Sequence, residues 1–289
     1  MSYTIHHYPC DKTYHDIFFE VVHFIKEKNE KHEYLAFHWS RFEWMFARDT
    51  IDPKTLNDII IFRNKDLKIA GMLIFEDKPE LWFMIYDADD VLKAMMVEYA
   101  IHHLKGDIMC PPDPKVIAMY QRYGYTLTEE KDPIAIFNHA YFALNKPEGY
   151  EIKSLEEDYR LDQIHHVLWK GFNHGDDVDY SKKNLEDRKH MTSSPHFKKR
   201  YTYVAIFENV YVSYAALWYI KGDKTALIEP VATIPNHRQK GLAKAVIMHA
   251  ILEAVKDGAK DIFVGSDMKF YKDIGFKPYD YMVKMTRNA

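Results

Sequence analysis

Apolar positions in the second half of the chain fall into short β-like runs that alternate with helical periods. Tyr150 to Ser154 reads as a strand. From Asp158 to Phe172, Leu161, Ile164, Val167 and Leu168 recur at helical spacing. A polar stretch runs on to about 182, and a short helix is expected at 183–191. Strands follow at 201–208, 210–220 and 225–233, then a helix at 242–256. A strand at 261–265, a short helix at 267–273 and a last strand at 278–286 complete the series. Strands and helices mixed in this order predict an α+β sheet with helices on its faces.

The pattern recurs earlier in the chain. Ile61-Phe62-Arg63-Asn64 parallels Ile206-Phe207-Glu208-Asn209, each leading into an apolar run, Leu67 to Phe75 and Val210 to Ile220. Further on, Tyr120-Gln121-Arg122-Tyr123-Gly124-Tyr125 parallels Tyr271-Lys272-Asp273-Ile274-Gly275-Phe276. The polar stretch Asn145-Lys146-Pro147-Glu148-Gly149 carries both Pro and Gly and reads as a linker. Two domains are therefore expected, over 1–146 and 147–289.

One segment separates the copies chemically. In the second, the strand ending at Thr233 is followed by Pro235-Asn236-His237-Arg238-Gln239-Lys240-Gly241-Leu242-Ala243, which opens directly into a helix. The first N–H groups of a helix lack internal partners, and its dipole places partial positive charge there, so this junction suits an anion. Gly241 lets backbone approach closely, Ala243 is small, and Arg238 and Lys240 add charge that suits a diphosphate. At the corresponding turn the first copy has Asp87-Ala88-Asp89-Asp90, whose carboxylates would repel such a ligand.

Arg238, Gly241 and Ala243 match the acyl-CoA pyrophosphate loop of the GNAT superfamily of N-acetyltransferases, whose pattern is Arg or Gln, two residues, Gly, one residue, then Gly or Ala. Val231-Ala232-Thr233-Ile234-Pro235 is similar to the end of that family's fourth strand. The resemblance implies two tandem GNAT-type domains of α+β class, each a mixed, mostly antiparallel sheet flanked by helices. The first would be a degenerate copy without the cofactor loop. Acetyl-CoA is the implied donor, its pantetheine arm on Val231, Ala232 and Thr233. Its diphosphate would lie on Arg238, Gln239, Lys240, Gly241, Leu242, Ala243 and Lys244. The implied activity is acetyl transfer to a primary amine of a small molecule or peptide, directly and within a ternary complex. A non-catalytic acyl-CoA binder or sensor is the alternative. Gly265-Ser266-Asp267 keeps it open, because family members often carry Asn after the fifth strand.

Further residues follow from the resemblance, each with a plainer reading beside it. Tyr271 stands where the family places a proton donor for the departing thiolate, yet Tyr120 in the first copy suggests a packing role. Glu229, on the cofactor strand, is placed to take a proton from the acceptor ammonium, or is an ordinary strand carboxylate. Asp176, Asp177 and Asp179 would favour a cationic acceptor, or form a solvated loop.

Composition narrows the rest. Forty-three acidic against 39 basic residues give a net charge of −4, which implies no general nucleic-acid affinity. Of the adjacent pairs His6-His7, His102-His103 and His165-His166, neither helical pair can clamp one ion, because neighbours on a helix point about 100° apart. No His-Glu-x-x-His or Cys-x-x-Cys arrangement occurs, so no metal site is expected. Two cysteines, no signal-like start and no bilayer-length apolar run point to a cytoplasmic protein without a membrane partner, monomer or homodimer. Trp39 to Phe46, dense in aromatic residues, is expected to pack internally.

Overall fold

The computed structural model describes residues 2–48 and 51–287. The chain forms two compact units, Met1–Pro133 with Asp280–Ala289, and Ile134–Tyr279.

Unit 1 contains β1 (Thr4–His7), α1 (Asp16–Glu30), α2 (Trp39–Ala47), β2 (Ile60–Arg63), β3 (Ile69–Phe75) and β4 (Leu81–Tyr86). After these come α3 (Asp90–His103), β5 (Asp107–Cys110), α4 (Pro114–Arg122) and β6 (Tyr125–Phe137), whose last residues belong to unit 2. The final strand of the chain, β12 (Phe276–Arg287), enters this unit at Asp280 and pairs antiparallel with β5, Val283 opposite Cys110. The order is β1-β2-β3-β4-β5-β12-β6. Only β4 and β5 are parallel neighbours among the pairs whose register is defined here. Every residue of β3 is buried, which fits a central strand covered on both faces. Trp39, Phe42, Met45 and Phe46 of α2 are buried, and Phe42 stacks on Phe18 with ring centroids 5.4 Å apart.

Unit 2 begins with β7 (Glu151–Ser154), α5 (Leu161–Gly171) and α6 (Lys182–Thr192). There follow β8 (Thr202–Phe207), β9 (Val210–Trp218), β10 (Thr225–Thr233), α7 (Leu242–Lys256), β11 (Asp261–Val264) and α8 (Lys269–Asp273). Its strands run β7-β8-β9-β10-β11-β6, with the parallel pair again in the middle, β10 beside β11. Helix α7 is apolar on most of its circumference. Ala245, Val246, Ile247, Met248, Ala250 and Ile251 are buried with Val212, Leu217, Ala226 and Ile228 of the sheet. Helix α5 buries Ile164, Val167 and Leu168.

From β2 to β6 unit 1 repeats the succession from β8 to β12 element by element. The junction before the long helix differs. Residues 87–89 connect β4 to α3, whereas 234–241 connect β10 to α7. The Asp89 carboxylate accepts a hydrogen bond from the Leu92 amide at 2.9 Å, so an opening amide of α3 is already capped by an acidic side chain. Asp89→Ala is expected to lower the stability of the chain by about 0.5–2 kcal/mol, read as a shifted urea midpoint. Among the described residues no helix is long and apolar enough to cross a membrane.

Candidate active site

Parallel pairing of β10 with β11 joins Thr225 to Asp261, Ala226 to Ile262 and Leu227 to Phe263, and the defined register ends there. Strand β11 stops at Val264 while β10 continues to Thr233. On its other side β10 keeps pairing with β9, through an irregularity between Ile228 and Val231. Pro230, inside that irregularity, has no N–H to give to a ladder. Beyond it, Val231 to Thr233 present a strand edge that β11 does not cover. A cavity of about 460 Å³ opens there, between that edge, the 237–241 loop, the first turn of α7, and Met268, Phe270 and Tyr271.

The loop has the backbone geometry of an anion cradle. Gln239 and Gly241 both take left-handed conformations, φ 61° and 78°, with one residue between them. Alternation of this kind turns successive N–H groups toward one point. The first ladder bond at the helix start that involves Gly241 runs from the Ala245 amide to its carbonyl, 3.0 Å, which leaves the preceding amides without an internal partner of that kind. A Cβ built on Gly241 would meet nothing within 4 Å, so the space before this amide is open. The backbone therefore fits a diphosphate.

The loop's cations differ in where they lie. The Arg238 guanidinium donates to the Thr233 carbonyl (3.0 Å), the Gly171 carbonyl (2.9 Å) and Asn173 Oδ1 (3.0 Å). It ties the end of β10 to the end of α5 through three neutral acceptors. Lys240 is exposed and does not line the cavity, whereas Lys244 does.

Tyr271 lines the cavity, half-buried, its ring edge-on to Phe270 and Phe276 at 5.0 and 5.7 Å. Burial, followed by the negative charge of Glu229, pushes its phenol up to about 12. Tyr271 and Glu229 are thus within electrostatic reach of each other, although Glu229 is not itself among the lining residues. The Glu229 carbonyl accepts from Trp218 Nε1 at 2.8 Å, which fixes the backbone where β10 turns away. The counterpart Tyr120 is wholly buried, and its hydroxyl meets Met84 Sδ at 3.7 Å. A tyrosine recurs in both copies, but only the second faces a slot of this kind.

The three aspartates lie apart from the cavity. Asp179 uses its carboxylate on the Ser181 amide and the Asn184 side chain, both at 2.9 Å, as α6 begins. Asp176 and Asp177 are exposed. Several lining residues carry no sequence signal, Gly171 above all. A Cβ there would sit 2.7 Å from the Ala232 Cβ and 3.2 Å from the Thr233 amide nitrogen. Only glycine lets α5 close on β10. Gly171→Ala is expected to cost about 1–3 kcal/mol through overpacking and to weaken donor binding, measured by thermal unfolding and calorimetry.

The sequence model of the Acetyltransferase (GNAT) family matches residues 161–276, which span α5 to the start of β12. The match covers most of unit 2. The GNAT likeness of fold extends through the whole chain. A tandem GNAT protein from the clavulanic acid biosynthesis pathway superposes with a TM-score of 0.61 at 12% identity, covering 99% of this chain and 98% of that one. A GCN5-related N-acetyltransferase from Sphaerobacter thermophilus gives 0.59 at 11% identity, over 98% and 94%. A putative acetyltransferase from Pyrococcus horikoshii gives 0.52 at 11%, over 99% and 89%. No curated protein matches the chain. Among the described residues no group of three His, Cys, Asp or Glu side chains is placed to hold a metal ion.

Proposed function

We propose that the second copy, residues 147–289, binds acetyl-CoA and passes its acetyl group to a primary amine of a small molecule or peptide within a ternary complex. The single observation that carries this reading is the left-handed pair Gln239 and Gly241 at the start of α7, beside a strand edge that β11 leaves free. Bound acetyl-CoA supplies the activated acyl group. Backbone amides from Gln239 to Ala243 hold its diphosphate, with Lys244 adding charge. Val231 and Thr233 offer backbone donors and acceptors to the pantetheine arm, as an added strand would. Arg238 positions the cradle from behind by holding β10 to α5.

Proton movements fall to two side chains. An ammonium has no lone pair, so the acceptor must lose a proton, and Glu229 takes it directly or through a water. The Tyr271 phenol, neutral at every ordinary pH, gives a proton to the departing thiolate. The first copy, residues 1–146, has a capped helix start in place of a cradle and holds no acetyl-CoA. The same reading takes the chain as cytoplasmic, a monomer or homodimer, with no nucleic-acid, membrane or metal partner.

Thiol release from acetyl-CoA, followed over a panel of primary amines alongside calorimetry of donor binding, tests this. Amine-dependent release is expected. Tight binding with only hydrolysis-level release for every amine would support the non-catalytic binder, and absence of binding would remove both readings.

A further inference from the structure

Unit 1 has a cavity of its own, about 490 Å³, where the repeat places the counterpart of the slot in unit 2. Its walls come from the end of α1 and the turn after it, the end of β4, the start of α3 and the turn into α4. These correspond in order to α5, β10, α7 and α8. The volume lies within the range of small-molecule pockets, about 300–1,000 Å³.

Its chemistry is not that of a diphosphate site. Lys28 pairs with Asp87 at 2.5 Å and Glu33 at 3.6 Å, and Lys93 pairs with Asp113 at 2.7 Å. Both lysines are therefore already neutralised. Two groups of opposite sign remain on the walls. Lys31 is exposed. Asp280, on the part of β12 that belongs to unit 1, is half-buried, and its carboxylate meets the Tyr281 amide. Burial raises its pKa, with no cation among the influences on it. A half-buried carboxylate without a counter-charge is partly desolvated at a cost, and an ammonium ligand relieves that cost. Tyr34 and Tyr86 add an aromatic wall, their rings edge-on at 5.5 Å. The wall is fixed by the Tyr34 hydroxyl, which donates to the Tyr86 carbonyl at 2.8 Å.

We propose that unit 1 uses this cavity to bind a small zwitterion, an amino acid whose ammonium meets Asp280 and whose carboxylate meets Lys31, with its side chain against Tyr34 and Tyr86. With Lys28 and Lys93 engaged by carboxylates, Lys31 and Asp280 are left as lining charges of opposite sign, which favours a ligand that carries one charge of each sign. The second copy holds an anion on backbone amides. The first has replaced that cradle with Asp89 and kept the space for a different ligand.

Calorimetry on the full chain, with no acetyl-CoA present, tests the proposal independently of the transferase reading. The probes are a set of L-amino acids, their methyl esters (ammonium only) and their N-acetyl derivatives (carboxylate only). Saturable binding of a free amino acid is expected. Each single-charge derivative, Asp280→Asn and Lys31→Ala should bind at least about 10-fold more weakly, the loss of one charge-assisted hydrogen bond. Thermal unfolding midpoints of the two variants should stay near that of the parent, because neither change removes an ion pair. No saturation by any amino acid at millimolar concentration overturns the proposal. So does tighter binding of an N-acetyl derivative or of inorganic phosphate, which would mark an anion site. Unchanged affinity in both variants would place the amino acid elsewhere on the chain and equally refute it.

Discussion

Gly241→Asp is expected to lower acetyl-CoA affinity by about 100-fold or more, since charge-assisted hydrogen bonds of about 1.5–3 kcal/mol each are replaced by repulsion. The position makes the change selective for the ligand. Its φ of 78° disfavours most side chains, but Asp tolerates the left-handed region better than most. An Asp at a helix start also satisfies open amides, as Asp89 does for Leu92 in α3. The variant should therefore fold, with its carboxylate occupying the space that a phosphoryl group needs. In effect it gives α7 the chemistry of α3. Gly241→Ala is the control. Nothing lies within 4 Å of its Cβ, so only the backbone strain of about 1–2 kcal/mol applies and affinity should fall by tens at most. Calorimetry of the two variants decides the matter. If Gly241→Asp binds acetyl-CoA like the parent, the diphosphate does not sit at this helix.

The elements around that helix are legible in the chain because each has a local cause. Apolar alternation ending at Thr233 and apolar periodicity from Leu242 delimit β10 and α7 at the bounds the structure shows. Where the pattern overreaches, a tertiary contact is responsible. Periodicity extends the first helix of unit 2 back to Asp158, but α5 starts at Leu161. Asp158 is held outside it, accepting from Arg160 Nε at 2.9 Å and, through its carbonyl, from the Tyr211 hydroxyl at 2.6 Å. Other features have no local trace. The alternation of β12 marks it as a strand but cannot name its partner, because side-chain period is the same against any neighbour. Nothing in it announces that Val283 will face Cys110 in unit 1.

Legibility of the site divides along the same line. Gly241 is readable because glycine before a helix has a backbone reason to be there. Arg238 is readable as a cation near the loop, but its engagement with Thr233, Gly171 and Asn173 depends on where α5 ends. Gly171 itself looks like any helix-terminal glycine until its distance from Ala232 is known. The Asp-rich loop is legible in a different way. Three carboxylates within four residues suggest a cationic ligand, and the structure adds that Asp179 accepts from the Ser181 amide and the Asn184 side chain, a common use of Asp ahead of a helix.

Tyr271→Phe should reduce kcat by about 10²–10⁴, the usual contribution of a positioned general acid, while KM for acetyl-CoA stays close to its original value. The ring contacts with Phe270 and Phe276 survive the change, so the slot keeps its shape and only the proton is lost. A loss confined to kcat identifies an interaction made in the transition state rather than in binding. The pH profile supplies a second readout. Burial and Glu229 both disfavour the phenolate, which raises the pKa to about 12, so the donor form persists at all lower pH. Ionisation of Tyr271 should therefore produce no alkaline fall in rate below about pH 11, and a fall near neutrality would belong to another group. Glu229→Gln removes the neighbouring charge and should bring the Tyr271 pKa down, moving any high-pH limb toward neutrality. Should Tyr271→Phe turn over acetyl-CoA at the parental rate, the hydroxyl has no part in the chemistry. Tyr271 would then be what Tyr120 is in the first copy, a ring that packs a short helix against the sheet.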